Sequence, residues 1–118
     1  NVNLSFYELT ELPLRFNKVT GDFYCSHNKL TTLKGSPRWV GNYFSCTGNN
    51  LTSLEFSPDY VGLWFSCRFN NLTDNYCDTE IGGRFFTSLK QDGLTEDNYN
   101  EWRKLYKRKL ILNDIFNM

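Results

Sequence analysis

The residues whose types could do chemistry are four cysteines, at 25, 46, 67 and 77, and the single histidine, His27. Thiols pair into disulfides, ligate zinc or, as thiolates, act as nucleophiles. Each use has a spacing requirement. Structural zinc favours paired ligands such as C-x-x-C, and no such pair occurs here. A nucleophilic thiolate needs a neighbouring base or cation, and His27 is far in sequence from Cys77. Four cysteines in a small secreted chain would read as two disulfides. Yet Cys25, Cys46 and Cys67 are each 21 residues apart. That spacing reads as three reduced thiols in one repeated core column, buried as small apolar side chains. Cys77 stands off the column, in Asn75-Tyr76-Cys77-Asp78, and reads as a loop or core thiol. Paired carboxylates, a phosphate loop and a suitable Cys–His arrangement are all missing, so no catalytic residue, metal or cofactor is expected.

The thiols belong to a larger repeat. Phe23, Phe44 and Phe65 sit two residues before the cysteines, Asn28, Asn49 and Asn70 three after, and Leu30, Leu51 and Leu72 five after. Leu33 and Leu54, Pro37 and Pro58, then Val40-Gly41 and Val61-Gly62 keep the same period. One unit back, Leu4 takes the Cys place, with Leu9, Leu12 and Val19 behind it. One unit forward, Ile81-Gly82 arrives a residue early, followed by Phe85 and Thr87. This gives about four units, and a fixed period of this length marks a solenoid. Phe-x-Cys puts two apolar side chains on one face of a strand. The Asn then turns the chain, and its amide can bond the turns of neighbouring coils as a ladder. A short return segment containing Pro closes each coil. Tyr7 replaces the ladder Asn in the first unit and Asn75 a core Leu in the third, so both units should be less regular.

The pattern F-x-C-x-x-N-x-L-T-x-L-x-x-x-P-x-x-V-G resembles leucine-rich repeats, specifically the short bacterial and bacteriophage kind, over roughly residues 2–90. The resemblance implies an α/β fold: a short leucine-rich-repeat solenoid of parallel strands over 1–94, with a C-terminal capping helix over 95–118 in the same domain. It implies little about function, beyond a small phage or bacterial protein that engages or inhibits a host or defence protein.

Side chains between the buried strand positions point outward. They give columns of Asp22, Tyr43, Trp64 and Arg84, then Tyr24, Ser45, Ser66 and Phe86, then Ser26, Thr47 and Arg68, with His27, Gly48 and Phe69 after them. Tyr24, Tyr43, Trp64 and Phe86 should therefore stand together on the concave sheet face, flanked by Arg68 and Arg84. Tyr, Trp and Arg are the types enriched at binding hot spots, so these six residues form the expected protein-binding site. The plainer alternative is that cross-strand aromatic pairs only stabilise a narrow sheet.

From Thr95 the period changes. Thr95 reads as an N-cap, with Glu96 and Asp97 in the first turn. Tyr99, Trp102, Leu105, Tyr106, Leu110, Leu112 and Phe116 share one side of a helix. That side is expected to cover the open end of the solenoid. Arg103, Lys104, Lys107 and Arg108 lie opposite and make the alternative site, for nucleic acid or an anionic surface.

The chain carries 13 basic and 13 acidic residues, so no global field steers it to nucleic acid or membrane. No apolar run is long enough to span a bilayer, and no charged start followed by an apolar stretch marks a signal peptide. Neither a membrane partner nor secretion is therefore expected. Reduced cysteines point to the cytoplasm, the host's if the protein is viral. The sequons at Asn3, Asn50 and Asn71 are discounted, the last two being by-products of the repeat. The first residue is Asn1, not Met, which reads as a trimmed N-terminus. The first coil shows no cap, which leaves room for missing residues or for a homodimer through that coil.

Overall fold

A computed structural model of the chain describes residues 1–117. Met118, at the end of the expected helical span, lies outside the described residues. Among those described, nine two-residue strands precede one helix: β1 (Val2–Asn3), β2 (Lys18–Val19), β3 (Phe23–Tyr24), β4 (Trp39–Val40), β5 (Phe44–Ser45), β6 (Tyr60–Val61), β7 (Phe65–Ser66), β8 (Glu80–Ile81), β9 (Phe85–Phe86) and α1 (Tyr99–Phe116). They build a parallel β-solenoid of about four turns. One sheet runs β1-β3-β5-β7-β9 and the other β2-β4-β6-β8. Phe23 pairs with Phe44 and Phe44 with Phe65, 21 residues apart, whereas Phe65 pairs with Phe85 and Val61 with Ile81, 20 apart. The residue missing before Ile81 is absorbed in the loop, and the register survives.

The repeat explains the core. Phe23, Phe44, Phe65 and Phe85 are buried and lie in one column, with successive ring centroids 5.8, 5.0 and 5.4 Å apart. Cys25, Cys46 and Cys67 lie beside them, free and buried. Each thiol donates to a carbonyl of the next coil, at Ser45, Ser66 and Phe86. Burial pushes the Cys25 thiol up to about 12 and the Cys46 and Cys67 thiols well above their ordinary value, so none is a nucleophile at neutral pH.

The Asn ladder forms as its spacing implies. Asn49 donates to the carbonyls of Cys25 and Cys46, while its Oδ1 accepts from Leu30 N–H. Asn70 repeats this one coil on, with Cys46, Cys67 and Leu51. One buried amide thus satisfies backbone groups in two coils, which would otherwise be orphaned at the turn. At the first unit, without its Asn, Asn28 Oδ1 accepts from both Tyr7 and Leu9. That stretch also carries left-handed residues at Phe6 and Glu8, so it is less regular, as expected.

The return segments depart from expectation. They do more than close the coil: each holds a short strand, and β2, β4, β6 and β8 form a second sheet that the repeat pattern did not announce. Val19, Val40, Val61 and Ile81 face inward and are buried there. β-Branched side chains suit such a half-buried pleat. The Gly after Val permits the close stacking, because a Cβ on Gly62 would run into the Gly41 carbonyl oxygen.

The last coil is organised by polar groups. Asn75, in place of a core Leu, is fully buried. It donates to Leu89 O and Gln91 Oε1 and accepts from Thr87 Oγ1. All of its amide atoms are thereby engaged, which makes the burial tolerable.

The helix corrects two expectations. It starts at Tyr99, not near Thr95, and its N-cap Asn98 makes no side-chain capping bond to the helix; Asn98 Oδ1 instead accepts from Thr95 N–H. Residues 95–98 are thus used in the approach to the helix. Secondly, the expected apolar side does not all cover the solenoid. Tyr99 and Trp102 are buried and Tyr106 half-buried, but Leu105, Leu110, Leu112 and Phe116 are exposed. Tyr99 extends the Phe column, 4.1 Å from the Phe85 ring. Its hydroxyl donates to Asn75 O and accepts from Cys77 N–H. Trp102 Nε1 donates to Asp92 O, and the Trp102 ring stacks 4.8 Å from Tyr106. The sheet edges are closed by other groups: Glu96 O accepts from Phe85 N–H, and the Asn100 amide bonds both Ile81 N–H and Ile81 O. After this first stretch the helix leaves the solenoid.

Candidate binding face

The five-stranded sheet presents its outward side chains in the columns expected. Tyr43 and Trp64 have ring centroids 5.0 Å apart, and Trp64 and Phe86 5.5 Å. Trp64, in the middle, is 46% exposed. Parallel strands spaced roughly 4.8 Å apart set these distances directly. The three rings form one continuous aromatic strip across β5, β7 and β9 and their leading turns.

Tyr24 is on the same face but makes a different contact. Its hydroxyl donates to Asp22 Oδ2, and Asp22 Oδ1 accepts from Tyr43 N–H. Partial burial and the Asp22 carboxylate both push the Tyr24 hydroxyl up. Beside the strip runs a line of hydroxyls, with Ser26 to Ser45 at 2.6 Å and Thr47 to Ser66 at 2.7 Å. This row satisfies itself and offers a partner few free donors.

The two arginines flank the strip as expected but are already engaged. Arg68 lies over the Phe86 ring, 4.8 Å from its centroid, and pairs with Glu96 at 3.3 Å. Arg84 pairs with Asp97 at 3.0 Å. Glu96 and Asp97, expected in the first turn of the helix, instead reach back to the sheet. They pin the segment before α1 beside the aromatic strip and neutralise its cations. A cleft of about 520 Å³ opens there, lined by Arg68, Phe85, Thr87, Lys90, Gly93 and Glu96 among others.

The residues of chemical type stay apart. His27 is exposed and stacks on Phe6, 4.7 Å between centroids. Cys77 is buried, with its sulfur 3.2 Å from the Tyr99 hydroxyl, so it is a core thiol. Among the described residues no three His, Cys, Asp or Glu side chains converge as a metal ion would need.

The basic helix site is split by burial. Lys104, Lys107 and Arg108 are exposed, Lys107 being 3.9 Å from Asp78. Arg103 is half-buried and its Nε has no hydrogen-bond partner, so it does not share their surface.

One surface feature escaped the sequence reading. On the four-stranded sheet, Lys18 sits 4.6 Å from the Trp39 ring centroid, and Trp39 stacks on Tyr60 at 5.5 Å. The signal was present, since 18, 39 and 60 are again 21 apart. It is hard to see because each strand of the return segments is only two residues long, too short to show alternating faces.

Compared with known proteins, the chain matches no family model, no curated protein and no solved structure. Among the described residues, no helix is long and apolar enough to cross a membrane.

Proposed function

We propose that the chain is a non-enzymatic protein-interaction module that receives a partner protein on the outer face of its five-stranded sheet. The observation that carries this reading is the strip Tyr43–Trp64–Phe86, continuous at 5.0 and 5.5 Å with its central Trp half in water. A large, rigid aromatic left exposed on a flat sheet is an anchor type for protein interfaces. Tyr24 lies beside the strip; Arg68 and Arg84, held by Glu96 and Asp97, shape its rim rather than supply free charge. A partner anchored here buries aromatic and aliphatic groups instead of phosphates. The resemblance of the repeat to short bacterial and bacteriophage leucine-rich repeats suggests, as partner class, a host or defence protein met in the cytoplasm.

The alternative is nucleic-acid binding through Lys104, Lys107 and Arg108. Aromatics beside arginines also describe a single-strand platform, but here both arginines are already paired with carboxylates, and phosphate binding gains from unpaired cations. The test is an affinity capture from nuclease-treated cytosol, comparing wild type with Tyr43→Ala/Trp64→Ala. A single protein held by wild type and lost from the variant, with both samples folded, is the expected outcome. Equal capture by the two samples sinks the reading.

A further inference from the structure

The distal half of α1 carries apolar surface that no described part of the chain covers. Ile111, Leu112, Ile115 and Phe116 follow the i, i+1, i+4, i+5 spacing of one helical face. They are 51%, 51%, 56% and 82% exposed. On the turns just before them Lys104, Lys107, Arg108 and Lys109 are exposed as well. The helix holds five of the chain's 13 cations but only two of its 13 anions, Glu101 in its first turn and Asp114 near its end. A neutral protein has thus concentrated positive charge on one projecting, partly apolar rod.

Charge selects the occupant. A second copy laid along this face would bring two clusters of cations together, with one Asp114 from each side to offset them. Nucleic acid would use the cations and leave Ile111, Leu112, Ile115 and Phe116 in water. An anionic bilayer uses both features: phosphates meet the lysines and arginine, and the apolar side chains enter the boundary between headgroups and acyl chains. We infer that the distal half of α1 is an anchor for anionic lipid surfaces, its apolar end entering the boundary while Lys104 and Arg108, which precede Ile111 and Ile115 by seven residues on the same side of the helix, stay at the headgroups. The expectation of no membrane partner rested on the zero net charge and on the lack of an apolar run long enough to span a bilayer, and neither bears on one projecting helix end that is locally basic and apolar. The inference is independent of the sheet face, which lies on other elements.

The test is co-sedimentation of the full chain with vesicles of phosphatidylcholine containing about 30% phosphatidylglycerol, beside vesicles of phosphatidylcholine alone. Capture by the anionic vesicles, at least about tenfold weaker on neutral ones and reduced by added salt, is expected. Two variants separate the contributions, Ile111→Asp/Phe116→Asp and Lys104→Glu/Arg108→Glu. All four positions are exposed beyond the solenoid, so unchanged thermal unfolding certifies the fold, and both variants are expected to lose capture. The inference is overturned by any of four results: no capture on anionic vesicles, capture undiminished in Ile111→Asp/Phe116→Asp, a single-stranded oligonucleotide that displaces the protein from vesicles and binds that variant as well as wild type, or a dimer in solution that the variant abolishes while vesicles capture nothing.

Discussion

The two halves of α1 are made of similar residues and have opposite fates. Tyr99 and Trp102, one turn apart, are buried at 2% and 6% exposure, while Ile115 and Phe116, four turns on, stand in water. Both halves have an apolar side. What separates them is a set of polar fasteners at the beginning: Tyr99 to Asn75 and Cys77, Asn100 to Ile81, Trp102 to Asp92, and Tyr106 to Asp74. No comparable side-chain bond ties residues 109–116 to the solenoid. Apolar periodicity states that a helix has a face to hide; directional bonds decide which part of that face is hidden, and against what.

The contrast is sharpest under truncation. Trp102→Ala removes a buried ring from the seal of the last coil and should cost about 3–5 kcal/mol, whereas Phe116→Ala should stay within about 0.5 kcal/mol. Urea unfolding of both variants checks this, and equal losses would erase the distinction between the halves. Tyr99→Phe keeps the ring in the Phe column but strips the hydroxyl from buried Cys77 N–H and Asn75 O, for a loss of about 1–3 kcal/mol. A neutral result there would mean that packing alone seats the helix.

The coils that α1 closes should also respond to pH. The Cys25 thiol is raised from 9.0 to about 12 by burial, and Cys46 and Cys67 shift the same way. Above pH 9 the unfolded chain releases these protons and the folded chain keeps them. Stability is therefore fully present below 9 and declines as pH rises toward 12. Unfolding midpoints at about pH 8 and pH 10 should show the fall, and Cys25→Ala should lessen it. The smallest effect is expected at the rim of the sheet. Arg84→Ala breaks an exposed pair with Asp97 and should cost at most about 1 kcal/mol, shrinking further in high salt. A larger loss would make the acidic segment before α1 part of the fold's core support.

Much of this was legible because the repeat is translational. Once Phe44, Cys46 and Asn49 are assigned to strand, core and turn, residues 21 before and after inherit the same places, and parallel pairing at a fixed spacing puts Tyr43, Trp64 and Phe86 side by side. The second sheet was legible in principle from Lys18, Trp39 and Tyr60, but two-residue strands are too short to show alternation. The roles of Glu96 and Asp97 were not legible, since an acidic pair ahead of an amphipathic stretch reads equally well as a helix start. Only the folded chain shows them reaching across to Arg68 and Arg84.

The sequence by itself determined the solenoid, its period, the buried thiol column and the Asn ladder, because each coil meets a near-identical neighbour and local pattern becomes tertiary contact. The tertiary structure alone decided where the stack ends. There the neighbour is no longer another coil, so the fit of Tyr99 onto Phe85, the bonds around Asn75 and the departure of α1 into solvent depend on contacts that occur once and that no period announces.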